Sequence, residues 1–392
     1  MLPKIKHLLK KEIQNFINQQ LDKPAADLLF MAKKYPNWDM AAIAQQVEGK
    51  QKAKKKIHSW FKIENILYPI RLSMEQCSSE QTAKYKASIC HGKRFIDITG
   101  GLGVDTYFIS KSFKEGFHCE INEDLQYIAQ HNFKTLGSDI ISLNQNGLNY
   151  LQTVQEKFDL IYIDPARRNE NNKKVIQLSD YTPNLLGNLN LLFEKGKVIL
   201  VKTAPLLDIK QVLNELSYVK EIHIVSLKNE CKEILYTLDK EYNGEIKIYC
   251  VNIDKSKYEF TYSKEKESAP LSEPLSYLYE PNTSILKAGA FNSIANDFKL
   301  RKLHPNSHLY TSHNLIEGFP GRTFKIGAVC KYNKKDLLKH IPNKKGNITR
   351  RNFPDSVADI RKKTGIKEGG EYYIFATTLK DNKPKFLVCS KI

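Results

Sequence analysis

The segment RFIDITGGLGVDTYF, residues 94–108, constrains the fold of this chain more than any other stretch. An apolar run typical of a buried strand ends in Asp97, and a glycine cluster follows at once. A polar pair, Asp105 and Thr106, then opens a stretch with helical apolar spacing. A strand, a glycine turn and a helix in this order cradle adenosine-containing cofactors in α/β proteins. The segment therefore predicts a cofactor site at the carboxyl end of a strand.

The region from residue 73 to residue 240 alternates strand-like runs with helical runs, which predicts a doubly wound α/β sheet. Its seven predicted strands read RFIDIT, FHCEI, IISL, FDLIYID, KVILVKT, EIHIVSL and EILYTL. Only KNECK joins the last two, which is too short for a helical crossover, so we expect an antiparallel hairpin. A sheet that ends in such a hairpin is a feature of class I methyltransferases and argues against the plain dinucleotide-binding fold.

The regions on either side have different patterns. Residues 1–72 are rich in lysine and place apolar residues three and four apart, which predicts a helical N-terminal region. Residues 241–392 lose the alternation and carry short strand signals. We expect a ferredoxin-like or connector region over 241–317 and a C-terminal α+β domain over 318–392.

Composition narrows the class of protein. Lysine and arginine number 61 against 43 acidic residues, and the net charge of +18 favours a polyanionic partner, most often nucleic acid. The apolar runs are far shorter than a membrane span, and lysines interrupt the N-terminal stretch, so we expect a cytoplasmic protein with no membrane partner. None of the seven cysteines forms a CxxC pair, which favours reduced thiols and no metal site.

The residue types around the glycine turn discriminate between cofactors. An aspartate at the helix start, Asp105, would repel a pyrophosphate but suits S-adenosylmethionine, which carries a cationic sulfonium and a cationic amino group. Asp97 can hold that amino group, and Gly101 and Gly103 let the backbone approach the ligand closely.

Two further polar residues follow the next strands. Glu120 lies near the spacing, roughly 20 residues after the glycines, at which an acid accepts from both ribose hydroxyls. Asn146, after the third strand, stands where a polar group facing adenine is expected. Together with the glycine turn, these residues predict an S-adenosylmethionine site.

DITGGLGVDTYF with FDLIYIDPARR resembles the class I S-adenosylmethionine-dependent methyltransferases. SSEQTAKYKA, YLYEPNTSILKAGAF, GFPGRTFKI and RRNFPDSVADIRKKTGIKEGGEYYIFAT resemble one bacterial group among them, which looks related to the trimethylguanosine synthases. The resemblance implies a Rossmann-like seven-stranded sheet over 73–240, a helical N-terminal region and a THUMP-like domain over 318–392 that binds RNA. It also implies that Thr99 belongs to the glycine motif, and that Asp164 and Pro165 open the motif after the fourth strand.

Asp164 is the main candidate for contact with the substrate. It ends the fourth strand at the edge where ligands of open α/β sheets bind. Methyltransferases that act on amino groups usually carry D/N-P-P followed by an aromatic residue, whereas this chain has Ala166 and Arg167 at the last two positions. The aromatic platform for the base is therefore missing from the motif, unless Tyr68 or Tyr181 supplies it.

Two hypotheses for the neighbouring charges stay open. Arg167 and Arg168 either contact an RNA backbone or pair with Asp180 or Glu120. Asp164, Lys202 and Glu233 fall on successive strand ends, in the order of the Lys-Asp-Lys-Glu tetrad of ribose 2′-O-methyltransferases. Lys84 or Lys86 would be the first lysine of that tetrad, and Glu230 a substitute for Glu233. The alternative is a structural salt link between Lys202 and a glutamate.

The C-terminal region mixes cations with aromatic residues, and its FPGR turn presents Arg322 as an RNA contact. The sequence thus predicts an S-adenosylmethionine-dependent methyltransferase acting on a nucleotide of structured RNA, either tRNA or rRNA. The alternatives are a non-catalytic RNA-binding module that keeps the cofactor, and a methyltransferase acting on a protein or a small molecule. The sequence does not predict the oligomeric state.

Overall fold

The computed structural model describes residues 7–167, 177–253, 255–261, 265 and 267–392. The chain divides into two compact units. The first unit comprises Met1–Lys220 and Ile234–Asn243, and the second comprises Glu221–Glu233 and Gly244–Ile392.

The N-terminal part of the first unit is helical, as the apolar spacing predicts. Its helices are α1 (Lys11–Gln19), α2 (Met40–Lys56), α3 (His58–Phe61), α4 (Arg71–Gln76) and α5 (Glu80–Ser88), with a 3-10 helix at Ala25–Lys34. Asp39 caps α2, because its carboxylate accepts from the backbone N–H of Ala42 at 3.0 Å. The apolar faces of the helices pack around Ile43, Val47 and Trp60, which are fully buried.

The rest of the first unit alternates strands and helices. The strands are β1 (Arg94–Asp97), β2 (Glu115–Cys119), β3 (Ile141–Leu143), β4 (Phe158–Ile163), β5 (Ala166–Arg167), β6 (Tyr181–Thr182) and β7 (Gly196–Thr203). The helices are α6 (Val104–Ser110), α7 (Glu123–Thr135), α8 (Gly147–Thr153), α9 (Leu189–Lys195) and α10 (Ile209–Glu215), with 3-10 turns at Leu178–Asp180 and Leu186–Asn188. β5 and β6 form a separate antiparallel pair.

β1 lies at the point where the strand order reverses. It pairs in parallel with β2 on one side and with β4 on the other, and β3 and β7 extend the sheet outwards from these neighbours. In open α/β sheets the ligand crevice lies beyond the carboxyl ends of the strands at such a reversal. Asp97 ends β1 and Asp164 follows β4, so both residues stand at this edge.

The predicted antiparallel hairpin is confirmed. β8 (Val219–Leu227) and β9 (Glu230–Asp239) are joined by Lys228 and Asn229 alone. Both residues have positive φ, 53° and 61°, as a two-residue type I′ turn requires. β9 runs antiparallel to β7, but the hairpin does not end the sheet, because β8 has a further neighbour.

The second unit contains two further sets of strands. β10 (Lys247–Asn252) pairs in parallel with β8, and β11 (Ser256–Thr261) pairs antiparallel with β10. The sequence analysis did not assign either strand to the sheet, because it treated this stretch as the start of a connector.

A seven-stranded sheet with the order β13-β14-β12-β15-β18-β17-β16 makes up the C-terminal part. Its strands are β12 (Tyr277–Pro281), β13 (Arg301–Lys302), β14 (Tyr310–Ser312), β15 (Gly321–Lys331), β16 (Asn347–Arg351), β17 (Tyr372–Thr378) and β18 (Pro384–Lys391). Its helices are α11 (Thr283–Ala288), α12 (Ser293–Asp297), α13 (Lys334–Leu338) and α14 (Val357–Thr364). Phe324, Phe375 and Leu387 lie in its core and are fully buried.

Within the described part of the chain, no helix is both long and apolar enough to cross a membrane. All seven cysteines are free thiols. Among the same residues, no group of three or more His, Cys, Asp and Glu side chains could hold a metal ion.

Candidate functional site

Asp97 is buried at the end of β1 and bonded to the glycine turn that follows it. Its Oδ1 accepts from the backbone N–H of Thr99 at 2.9 Å and from the Thr99 hydroxyl at 3.2 Å. Its Oδ2 accepts from the hydroxyl of Thr106, on α6, at 2.7 Å. Burial raises the pKa of Asp97 to about 7, although these hydrogen bonds act in the opposite direction. This carboxyl group therefore changes charge near neutral pH.

Two glycines of the turn have positive φ. Gly103 has φ 80°, and a Cβ there would lie 2.3 Å from the Phe133 ring. Gly101 has φ 56°, but the nearest atom to a Cβ there, the Thr99 carbonyl oxygen, is 4.0 Å away. The space above Gly101 is therefore open, as a turn that admits a ligand requires.

Glu120 lies beside the same turn. Its Oε2 accepts from the backbone N–H of Gly101 at 2.9 Å, and its Oε1 accepts from that of Asn122 at 2.7 Å. The next residue, Ile121, is 70% exposed, which is unusual for so large an apolar side chain. The turn is thus hydrogen-bonded to both Asp97 and Glu120 and has open space at Gly101. The structure adds the exposed Ile121, which the sequence analysis missed.

Asn146 is the N-cap of α8. Its Oδ1 accepts from the backbone N–H groups of Leu148 and Asn149, at 2.9 and 3.2 Å. The Asn-Gly sequence at this position therefore has a local structural reason. The contact of Asn146 with adenine stays a prediction. Since Oδ1 already accepts two hydrogen bonds, the side-chain Nδ2 group would make that contact.

Asp164 is tied to β1 through a single hydroxyl. The Thr99 Oγ1 accepts from the backbone N–H of Asp164 at 2.7 Å, so it joins the ends of β1 and β4. The Asp164 side chain is 36% exposed, and its Oδ2 lies 2.5 Å from the Nζ of Lys202, on β7. Pro165, directly after it, is buried. Two of the three predicted catalytic residues are therefore in direct contact at the carboxyl edge.

Behind this pair lies a buried polar cluster centred on Asp105. Its Oδ2 accepts from the hydroxyls of Ser78 and Tyr162 at 2.7 and 2.8 Å, and it lies 3.7 Å from the Nζ of Lys202. Its Oδ1 lies 3.2 Å from the Nζ of Lys86, a lysine with no exposed surface. Burial would raise the pKa of Asp105, but the two ammonium groups and the hydrogen bonds from Ser78 and Tyr162 together hold that pKa below its usual value.

Only one of the two lysines considered as the first member of the tetrad, Lys84 and Lys86, lies in this cluster. Lys84 is 60% exposed and pairs with Glu80 at 2.6 Å. Lys86, two residues later on α5, donates to Ser78 at 3.2 Å, and Lys202 donates to the same hydroxyl at 3.3 Å. Sequence reasoning found no role for Ser78 or Tyr162, because nothing in their local pattern shows what they contact. All the contacts of Asp105 named above are to protein groups, and its role toward a cofactor stays a prediction.

The remaining candidates lie elsewhere or outside the described residues. Glu233 is buried on β9 and belongs to the second unit, and its catalytic role stays a prediction. Arg168 and the side chain of Arg167 lie outside the described residues. Tyr68 and Tyr181 are buried, with 1% and 4% exposure, so neither presents a ring face to a substrate.

Two family models match the C-terminal part of the chain. Residues 277–320 match a ferredoxin-like domain, and residues 321–391 match a THUMP domain-like family. No curated protein matches the chain.

Among solved structures, the chain is similar over its whole length to a protein from Porphyromonas gingivalis W83 described as a "putative methyltransferase". The two are 32% identical over 98% of each chain, with a TM-score of 0.89. The chain is also matched to the T. thermophilus 16S rRNA N2 G1207 methyltransferase, RsmC, at 12% identity over 44% of this chain and 46% of that one, with a TM-score of 0.34. M. capricolum TrmK matches at 15% identity over 41% of this chain and 68% of that one, with a TM-score of 0.31. Both TM-scores are too low to support an argument.

Proposed function

Because the chain belongs to the class I methyltransferase family with a C-terminal THUMP-like domain, we propose that it transfers a methyl group from S-adenosylmethionine to a nucleotide of structured RNA, a tRNA or an rRNA. The observation that carries the proposal is the pairing of Asp164 with Lys202 at the carboxyl edge, next to the open glycine turn. An acid of this kind beside a cofactor cradle is what a group-transfer site requires.

The residues around the turn fit the cofactor. The open space above Gly101 admits the ligand, and the half-buried Glu120 carboxylate can accept from ribose hydroxyls in addition to its two backbone bonds. Asp97 faces the cationic amino group, while Thr99, Gly103, Asp105 and Pro165 shape the pocket and Asn146 lies at its adenine end. S-adenosylmethionine supplies an electrophilic methyl group on a cationic sulfonium.

Asp164 acts on the substrate. Its carboxylate accepts a hydrogen bond from the N–H or O–H of the attacking group and so directs that group's lone pair toward the methyl carbon. Lys202 holds the carboxylate in this orientation from behind, at 2.5 Å. Displacement at a sulfonium depends mainly on alignment of the two partners, so positioning is the main contribution asked of these side chains. We propose a catalytic role for Glu233 only if the methylated group is a ribose 2′-hydroxyl, as in enzymes with the Lys-Asp-Lys-Glu tetrad.

RNA as the substrate is supported by charge and by family. The net charge of +18 favours a polyanion, and the THUMP-like match covers residues 321–391. We assign the RNA contacts to Arg167 and Arg168, which follow Pro165 in the sequence, and to Arg322 in the C-terminal sheet. The expected cytoplasmic location is part of the same proposal.

The test measures transfer of labelled methyl from S-adenosylmethionine to RNA taken from cells that lack the protein. Asp164→Ala should retain cofactor binding by calorimetry and lose transfer by at least about a hundredfold. Asp139→Ala is the matched control, because Asp139 is an exposed acid just before β3, at the opposite edge of the sheet. Full turnover by Asp164→Ala would refute its assignment.

Protein and small-molecule extracts run alongside as acceptors. Label in either of them, with none in RNA, would refute RNA as the substrate. Cofactor binding without transfer to any acceptor would favour the non-catalytic module.

A further inference from the structure

The C-terminal sheet buries one acid between two arginines. Glu280 lies on β12 with 1% exposure, directly opposite Arg322 in the antiparallel pairing of β12 with β15. Arg351 ends β16, which is separated from β12 in the sheet by three strands, and its side chain nevertheless reaches the same carboxylate. We call Glu280, Arg322 and Arg351 the arginine clamp.

The two guanidinium groups share the carboxylate, one on each oxygen. Oε2 of Glu280 accepts from Nε of Arg322 at 2.7 Å and also from its Nη2. Oε1 accepts from Nε and Nη2 of Arg351, at 3.2 and 2.9 Å. Each arginine therefore meets the acid with one side of its planar group, which fixes the orientation of that plane.

The other side of each guanidinium is available. The Nη1 groups of Arg322 and Arg351 have no hydrogen-bond partner among the described residues, and the side chains are 34% and 32% exposed. These groups can therefore donate to a further anion. Two exposed forks held side by side match the oxygen atoms of a phosphodiester.

The surroundings of the clamp are positively charged. Burial lowers the pKa of His308 to about 4, and the positive charges of Lys302 and Arg351 lower it further. Burial also lowers the pKa of Lys302, and the negative charge of Glu265 opposes this shift. The clamp contains two guanidinium groups and only one carboxylate, so its net charge is about +1.

We propose that Glu280, Arg322 and Arg351 form a phosphodiester-binding site through which the C-terminal sheet holds the RNA backbone. The inference rests on the proposed function, since it names the part of the chain that captures the RNA. Glu280 is a positioning residue here, because it sets the planes of two arginines without touching the RNA. Arg351 is one of the C-terminal cations that the sequence analysis expected to contact RNA, whereas Glu280 was not singled out there.

The test measures binding of total tRNA by the full-length protein between about 0.05 and 0.2 M salt, the range over which phosphate contacts are lost. Arg351→Gln should weaken binding about tenfold and reduce the slope of log affinity against log salt by about one. Arg351→Lys keeps the charge but not the fork, and it should also weaken binding several-fold. Lys362→Gln is the control, an exposed cation on α14 whose loss removes the same charge.

Glu280→Gln gives the sharpest result. It raises the net charge by one, so simple electrostatic attraction predicts tighter binding to tRNA. Loss of the shared carboxylate frees both guanidinium groups, so the clamp predicts weaker binding, by about tenfold. Thermal melting of each variant confirms that it is folded, and Arg351→Lys tests the clamp without removing the acid.

The outcomes separate the inference from the proposed function. If the wild type binds tRNA while folded Arg351→Lys and Glu280→Gln bind it equally well, the clamp is structural and the inference is overturned, but RNA methylation stands. If the wild type binds no RNA, both are refuted. Tight binding of inorganic phosphate alone, lost in Arg351→Gln with tRNA affinity unchanged, would assign the site to free phosphate and overturn the inference.

Discussion

Replacing Lys86 with Met should destabilise the first unit strongly, because Lys86 is fully buried and its ammonium group pairs with a buried carboxylate. The Nζ of Lys86 lies 3.2 Å from Oδ1 of Asp105, which at an effective dielectric constant of about 20 is an attraction of about 5 kcal/mol. Relief from burying the ammonium group offsets part of this, while Lys202 and two hydroxyls still hold Asp105. We expect the free energy of unfolding to fall by about 3 kcal/mol at neutral pH, the low end for breaking a buried ion pair.

The loss should depend on pH in a defined direction. In the wild type the pKa of Asp105 is lowered, so its contribution to stability is present above its unfolded value of about 3.9 and is lost as pH falls through the folded value. Without Lys86, burial becomes the larger effect, and the pKa of Asp105 should rise. Stability of the variant should then decrease as pH rises above about 4, so the difference from wild type should be smaller at about pH 4.5 than at pH 7.5.

The assay is urea unfolding followed by tryptophan fluorescence. Both tryptophans, Trp38 and Trp60, belong to the first unit. Trp60 is fully buried and packs on the ring of Tyr107, on the helix that carries Asp105, with ring centroids 5.7 Å apart. The signal therefore reports unfolding of the cluster's own surroundings.

Two variants decide whether the reasoning holds. Lys84→Met removes the same charge from the exposed face of α5 and should change stability by less than about 0.5 kcal/mol. Lys86→Met with Asp105→Asn removes both buried charges and should recover most of the loss, because no uncompensated carboxylate remains. A double variant no more stable than Lys86→Met, or a pH-independent deficit, would refute the account.

Three further outcomes are expected. Because the pKa of Asp97 is raised to about 7, its carboxylate forms as pH rises through 7, and affinity for S-adenosylmethionine should increase over the same range. Calorimetry in two buffers of different ionisation enthalpy should detect release of a proton on binding. An affinity that does not change with pH would contradict the contact between Asp97 and the amino group. Gly103→Ala should lower the free energy of unfolding by more than about 2 kcal/mol, because it forces a positive φ and places Cβ against Phe133. Glu120→Gln should keep the bond to Gly101 but weaken cofactor binding about tenfold, since a neutral amide accepts less strongly than a carboxylate; unchanged affinity would refute the ribose contact.

The sequence alone was sufficient where the physical cause is local. A glycine with positive φ, a junction too short for a crossover and an apolar run that ends in an acid each act within a few residues. The glycine turn, the hairpin and the position of Asp164 at the end of β4 could therefore be predicted.

The tertiary structure decided which distant side chains meet and which are buried. Lys84 and Lys86 look alike in the sequence, yet the turn of α5 exposes one and buries the other against Asp105. Tyr68 and Tyr181 could have served as stacking platforms until their burial excluded it. Glu280 and Arg351 are 71 residues apart, and only the tertiary structure of the C-terminal sheet brings them together. Contacts of this kind depend on the directions in which side chains leave their helices and strands, which no local pattern specifies.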